Sequence, residues 1–471
     1  MGSLRREMAD IVGETHVLTG PDAARYSADW KDLYHWEPLA VVRPASTQEV
    51  SAIVRLAHSH DIAIVPCGGN TGLNAGTFAQ GALMVSLERM NKVREIRPDA
   101  RVIIAEAGVI LDNMHAAADE HDLIFPLTFG ARGSAQVGGV LSTNAGGSNV
   151  LRYGNTRALT LGIEVVLPNG DVLDLMSALH KDNTGYDLRD LFVGAEGTLG
   201  IITAAVFKLF PKPKAYATAM VSVASPGAGL QLLNDLQTAT AGMVEAYEYM
   251  PRSYMAGLNA KRPDLAPPLG VERAHTIMVE LGATSESLSK PNADGSLPLN
   301  DLLENTLADA IEKALADDAI LAKNDTERKH IWAIREAAGE IIFAHENALD
   351  TDVSLPLDKV PTFLEEIEIA REACDPGSTP HVVSHLGDGN VHYTIFLTRP
   401  DEALKEAMRE VVEDTALGLG GSFSAEHGIG LSKRGGMARR KDPVALAVMK
   451  QIKATLDPKS IMNPGKVLPD G

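Results

Sequence analysis

Three glycine-rich stretches constrain this chain more than anything else in it. "PCGGNTGLNAG" (66–76), "GSAQVGGVLSTNAGGSNVLRYG" (133–154) and "VGAEGTLGIIT" (193–203) all fall in its first half. Each adjoins short runs of apolar and β-branched residues. Glycine lets successive backbone N–H groups approach and converge on an anion, so such loops form nests suited to a pyrophosphate. One loop alone is ordinary turn chemistry; three in one region point to a bound dinucleotide. No G-x-G-x-x-G follows a strand, and "NPGKVL" near residue 465 lacks the rest of a P-loop. Neither a Rossmann site nor an NTPase is supported.

The surrounding text predicts an α+β unit over residues 1–212. "LAVVRP", "IAIVP", "GALMVSL", "RVIIAEAGV", "GIEVVLPNGDVLDL" and "GIITAAVFKLF" read as strands. Ser46 and Glu49 resemble a capping box, followed by Val50, Ile53, Val54 and Ala57 at helical spacing. The prolines of "PKPKAY" (211–216) mark a boundary. Beyond it, β runs such as "HTIMVEL" alternate with helices expected at 301–317, 327–348, 402–418 and 443–456. The expected organisation is two domains: residues 1–212 completed by 421–471, and 213–420 between them.

Composition narrows the function classes. A chain of 471 residues with net charge −19 is a poor partner for nucleic acid or an anionic membrane. Two cysteines, Cys67 and Cys374, exclude a disulfide framework and a cysteine-rich zinc site. No apolar run approaches a membrane span, and "MGSLRREMADIVG" lacks the apolar centre of a signal peptide. The expectation is a cytoplasmic protein.

"SHLGDGNVHYTI" (384–395) is the densest chemical feature. Asp388-Gly389 between strand-like runs predicts a hairpin with a two-residue turn. Gly387 would then pair with Asn390, Leu386 with Val391 and His385 with His392, setting two imidazoles face to face. Alone, such a pair fits a solvated hairpin better than a site. "SAEHGIG" adds Glu426 and His427, and two imidazoles plus a carboxylate suit Zn²⁺ or a similar divalent ion with positions left open.

The order of "PCGGNTGL", "GSAQVGGVLSTNAGG", "RYG", "VGAEGTLGIIT", "HLGDGNVH", "AEHGIG" and "NPGK" resembles the FAD-linked dehydrogenases of the vanillyl-alcohol oxidase/p-cresol methylhydroxylase fold. The nearest branch is the D-2-hydroxyglutarate and D-lactate dehydrogenases. The resemblance runs from about residue 38 to 468 and implies a two-domain flavoprotein, with an FAD domain and an α+β substrate cap. It implies that Pro66, Gly68, Gly69, Asn70, Thr71 and Gly72 cradle the FAD pyrophosphate. Gly133, Ser134, Gly138, Asn144, Ala145, Gly146 and Gly147 would line the ribityl and adenosine side. Glu196, Gly197, Ile202 and Asn463 would complete the nucleotide site. Covalent relatives often carry His where this chain has Asn70, so a non-covalent flavin follows.

The same resemblance makes His385, His392 and Glu426 the metal ligands, His427 the general base, Asn390 a substrate hydrogen-bond partner and Arg335 the grip on the substrate carboxylate. The implied reaction oxidises a D-2-hydroxy acid to the 2-oxo acid. A metal chelated by hydroxyl and carboxylate acidifies the alcohol, and the flavin takes the C2 hydride. An electron-transfer flavoprotein, a quinone or a cytochrome would accept the electrons, and a homodimer is compatible. Hydroxyglutarate dehydrogenases place a Thr and a Lys where this chain has Gly339 and Asp350. A cation exchanged for an anion favours a lactate-like or larger monoacid over the five-carbon diacid. A metal-dependent hydrolase and a non-catalytic flavin-binding subunit are the rival classes.

Overall fold

The computed structural model describes residues 2–343 and 345–470. Its contacts divide the chain into two units, Met1–Gly146 with Gly154–Pro211 and Glu426–Gly471, and Gly147–Tyr153 with Lys212–Ala425.

In the first unit, strands Ala40–Val42, Leu83–Ser86 and Ile64–Cys67 pair in parallel, with Val17–Leu18 antiparallel at the edge. Parallel neighbours require a crossover, and helix Thr47–Ser59 supplies one between the first and third of these. Its Val50, Ile53, Val54 and Ala57 are buried as their spacing predicts. Ser46 Oγ accepts from the Glu49 amide at 3.2 Å, while Glu49 reaches back to the Ala45 amide at 2.8 Å. A second, antiparallel sheet runs Val93–Arg97, Val102–Glu106, Ile201–Lys208, Thr160–Val166, Val172–Leu175. The C-terminal segment joins the first sheet through a bridge from Met462 to Ile64.

The second unit is built on one antiparallel sheet. Its order is Ala316–Leu321, Ala215–Val223, His275–Ala283, Val244–Pro251, Thr379–His385, Asn390–Phe396, then Ala348–Leu349, with Asp352–Ser354 also pairing on Asn390–Phe396. Both faces are covered. Tyr247 and Tyr249 turn to a core shared with Leu303, Leu307, Phe363 and Met408. Ala246 and Met250 turn to the other face, where Ile331 and Ile334 of helix Asp325–Glu336 pack.

Three expectations change. The helix expected at 301–317 is Pro298–Glu312, because the chain peels off at Ala314 (φ +56°) to form the edge strand Ala316–Leu321. The helix expected over 327–348 is Asp325–Glu336 followed by Ala338–Phe343. At the break, the Tyr254 hydroxyl donates to the Ile334 carbonyl at 2.5 Å, competing for an acceptor the helix would use. Helices Glu402–Gly418 and Pro443–Leu456 stand where the sequence puts them.

The third change concerns the hairpin register. His385 pairs with Asn390, Ser384 with Val391 and Val383 with His392, around a four-residue turn. A two-residue type I′ turn needs positive φ at both central residues, and here only Gly389 has it, at +84°. Asp388 instead accepts from the Asn390 amide at 3.1 Å, closing the longer turn. The shift moves His392 two places along the ladder. Side-chain parity has period two, so both histidines remain on one face as diagonal neighbours, with ring centroids 5.4 Å apart.

Candidate functional site

The histidine face gathers buried carboxylates and an arginine in the second unit. His385 and His392 each offer a ring nitrogen within 4.8 Å of the other's. Behind each ring stands a carboxylate. Glu248, fully buried and cross-strand from His385, meets its Nδ1 at 2.8 Å. Asp352, paired in register with His392, lies 3.8 Å from that ring's Nδ1. Arg335, on the helix above, donates from Nε to Glu248 at 2.6 Å, and its Nη2 lies 3.4 Å from His385 Nε2. Burial pushes the Glu248 carboxyl up, but the Arg335 guanidinium and the His385 ring outweigh it and hold the pKa down to about 2. Glu248 is therefore charged at neutral pH.

Asn390 shares this face. Its amide nitrogen donates to Asp352 Oδ1 at 2.9 Å and to the Val353 carbonyl at 3.0 Å, so both hydrogens are used. Its Oδ1 is buried without a partner. An amide so placed can only accept a further hydrogen bond, from an N–H or O–H donor. Ala425 ends this unit with its amide held by the Asp352 carboxylate at 3.2 Å. Glu426 and His427 follow immediately in the chain. Asp350, in the link between Ala348–Leu349 and Asp352–Ser354, accepts from the Thr394 hydroxyl at 3.3 Å.

In the first unit the glycine loops meet backbone to backbone. A Cβ at Gly69 would lie 2.0 Å from the Ser134 carbonyl, and one at Gly138 would strike Ala107 at 2.9 Å. Gly197 leaves room for Pro66, whose ring a Cβ would meet at 2.4 Å. A Cβ on Gly146 would sit 2.7 Å from the Glu426 carboxylate. Without Cβ atoms at Gly69, Gly138 and Gly197, these loops pack directly on Ser134, Ala107 and Pro66. Asn70 (φ +54°) hydrogen-bonds the Ala28 carbonyl and the Thr77 hydroxyl, so its side chain holds the loop's left-handed turn. Asn144 (φ +50°) caps helix Val137–Thr143 and receives the Arg157 amide. Ala145 accepts from Thr156. Thr71 and Gly72 continue the first loop and Gly147 the second. Ile202 differs in setting: it is buried in the five-stranded sheet opposite Val165.

The side chains of Glu196 and Asn463 are occupied by the fold. Glu196 accepts from the Ile429 and Gly430 amides at 2.7 and 2.8 Å, while Asn463 bridges the Gly76 and Glu196 carbonyls. Asn74, which no motif singled out, donates to the His427 carbonyl at 2.9 Å and the Gly428 carbonyl at 2.7 Å, and accepts from Ser432 Oγ at 3.0 Å. It staples the "EHGIG" segment to the first glycine loop. Glu248 lies in no motif. Its signal was a charged residue inside the aromatic strand "VEAYEYMP". Such a residue costs free energy unless paired.

Comparisons with known proteins agree with this geometry. Residues 38–176 match the FAD binding domain family, and residues 212–467 match the family described as FAD linked oxidases, C-terminal domain. The chain belongs to the FAD-linked oxidase family. It is 35% identical to the mitochondrial D-2-hydroxyglutarate dehydrogenase of Bos taurus, over 96% of this chain and 81% of that one. It is 33% identical to the D-2-hydroxyglutarate dehydrogenase of Stutzerimonas stutzeri (strain A1501), over 98% of each. A substrate-bound p-cresol methylhydroxylase shares the fold at TM-score 0.76 and 17% identity, covering 100% of this chain and 97% of that one. The architecture is thus the two-domain one of the vanillyl-alcohol oxidase/p-cresol methylhydroxylase flavoproteins. Among the described residues, no helix is long and apolar enough to cross a membrane.

Proposed function

We propose that the protein oxidises a D-2-hydroxy acid to the 2-oxo acid, using non-covalent FAD and a divalent metal. The observation that carries this reading is the histidine pair backed by buried carboxylates, with Arg335 on the same face. His385, His392 and Glu426 would hold the ion, Zn²⁺ being the first candidate for two imidazoles and a carboxylate. When bound, the metal polarises the substrate hydroxyl and FAD accepts the electron pair that leaves C2 as hydride. The glycine loops would hold FAD through backbone amides, with the engaged side chain of Asn70 supporting a non-covalent attachment.

The remaining work falls to this chain's own groups. The guanidinium of Arg335 would grip the carboxylate beside the reacting carbon, where a fork of parallel donors fixes orientation. Asn390 would contact the substrate beside the reacting carbon, leaving the single hydroxyl proton directed at His427. His427 would then remove the hydroxyl proton as the C2–H bond breaks and the C=O bond forms. An electron-transfer flavoprotein, a quinone or a cytochrome would reoxidise the enzyme, in the cytoplasm.

The side chain of the acid divides two readings. Asp350, where the family's hydroxyglutarate enzymes offer Lys, supports a lactate-like or larger monoacid, since a second buried carboxylate without a cation costs several kcal/mol. The names of the relatives favour D-2-hydroxyglutarate. A panel of D- and L-2-hydroxy acids with an artificial electron acceptor tests both. Turnover restricted to D-acids, with monoacids ahead in kcat/KM, is expected. D-2-hydroxyglutarate in first place would reverse the side-chain reading, and no turnover of any 2-hydroxy acid would end the proposal.

A further inference from the structure

Two buried carboxylates on one sheet face each hold an arginine of the same helix. Arg328, Trp332 and Arg335 lie at i, i+4 and i+7 on Asp325–Glu336 and share one of its sides. Glu280 accepts from Arg328 Nε and Nη2 at 2.7 Å each, from the Trp332 indole N–H at 2.8 Å and from the Thr218 hydroxyl at 2.6 Å. That clamp is saturated and touches no candidate site residue. The second clamp differs. Glu248 takes Arg335 Nε on one oxygen and His385 Nδ1 on the other. One carboxylate thus serves the residue proposed to grip substrate and a residue proposed to bind the metal.

We infer that Glu248 is a positioning residue that fixes His385 in the tautomer protonated at Nδ1, leaving Nε2 for the metal, and that orients the Arg335 fork for the substrate carboxylate through the same group. The inference rests on the proposed metal site. A carboxylate accepts and cannot donate, so an imidazole whose Nδ1 lies 2.8 Å from Glu248, itself ion-paired with Arg335, carries its proton on Nδ1. A carboxylate behind a metal-binding histidine fixes ring orientation and raises ligand basicity. Arg335 bonds Glu248 through Nε while its Nη2 lies 3.4 Å from His385 Nε2, so the guanidinium spans the carboxylate and the ring that the carboxylate holds. Arg335 cannot swing without loosening Glu248, and Glu248 cannot move without freeing His385. Loss of the carboxylate should therefore weaken metal and substrate binding together.

The test measures Zn²⁺ affinity of the flavin-loaded protein by competition with a chromogenic chelator, for wild type, His385→Ala, Glu248→Gln and Glu248→Asp. Glu248→Gln should lose about 10- to 100-fold in affinity with flavin content unchanged, and KM for the acid should rise by about 10-fold. Glu248→Asp should recover part of both. A second measurement needs no folded variant of Glu248: ring ¹⁵N shifts of metal-free wild type, with the His385 signal assigned by its absence in His385→Gln. Nδ1–H is expected there. Wild-type Zn²⁺ affinity in Glu248→Gln while His385→Ala has lost it, or an Nε2–H tautomer, would overturn the role of Glu248 and leave the metal site standing. Wild type that binds no Zn²⁺ would overturn the metal site and this inference with it.

Discussion

Asn74→Ala should slow the chemistry without emptying the flavin site. The side chain makes three hydrogen bonds to the segment that carries His427: two to the consecutive carbonyls of His427 and Gly428, one from Ser432. At a net ~1 kcal/mol each, their loss costs about 3 kcal/mol, with two carbonyls left short of a donor. In a domain of this size that lowers the melting midpoint by roughly 6–12 °C. The kinetic effect would come from His427 as the proposed base, since a displacement of about 1 Å at a reacting group can cost up to 100-fold. Stopped-flow reduction of the flavin by a turned-over D-2-hydroxy acid reads the step directly, and flavin absorbance reads occupancy. A 10- to 100-fold slower reduction at full occupancy is expected. Asn74→Asp should be worse than Ala, because it puts carboxylate oxygens against two carbonyl oxygens in place of the donors. A wild-type reduction rate and midpoint in Asn74→Ala would refute the idea that this staple positions His427.

The protein should purify yellow and release its FAD on acid denaturation, given Asn70 where covalent relatives have His; flavin that precipitates with the protein would contradict this. His385→Ala and Glu426→Ala should abolish turnover with the flavin spectrum intact, and chelation should reproduce them reversibly; full activity in a metal-free preparation would reject the metal's role. Glu248 has a folded pKa of about 2 against 4.5 for the free group. Its contribution, on the order of 3 kcal/mol, is present above pH 4.5 and lost as pH falls toward 2. The stability gap between wild type and Glu248→Gln should therefore close over that interval, and a gap constant with pH would contradict the pairing. Asp350→Lys should raise kcat/KM for D-2-hydroxyglutarate relative to D-lactate; an unchanged ratio would remove Asp350 from the selectivity account.

Periodic features were legible in the sequence. Helices Thr47–Ser59, Glu402–Gly418 and Pro443–Leu456 announce themselves by spacing and caps, and glycine density located the loops. The shared face of His385 and His392 was legible through parity, while their register was not. Register depended on whether Asp388 adopts positive φ, which an Asp-Gly pair leaves open. What stayed hidden is what distant chain segments decide. Glu248 lies 87 positions from Arg335 and 137 from His385, and Asn74 lies 353 from His427. No local pattern marks such partners. The sequence hint at Glu248 was a cost without a visible compensation, a carboxylate set inside an aromatic strand. The break after Glu336 belongs to the same class, because the hydroxyl that competes there comes from Tyr254.

The central claim is that this flavoprotein takes its electrons from a D-2-hydroxy acid. Anaerobic mixing of the purified, metal-replete protein with each enantiomer of lactate and of 2-hydroxyglutarate, followed at the visible flavin band, tests it most directly. The D-enantiomer of at least one acid should bleach the oxidised band within the mixing experiment and yield the matching 2-oxo acid in equal amount, while both L-enantiomers leave the band unchanged. A band that persists with every acid, or bleaches equally with both enantiomers, would contradict the account.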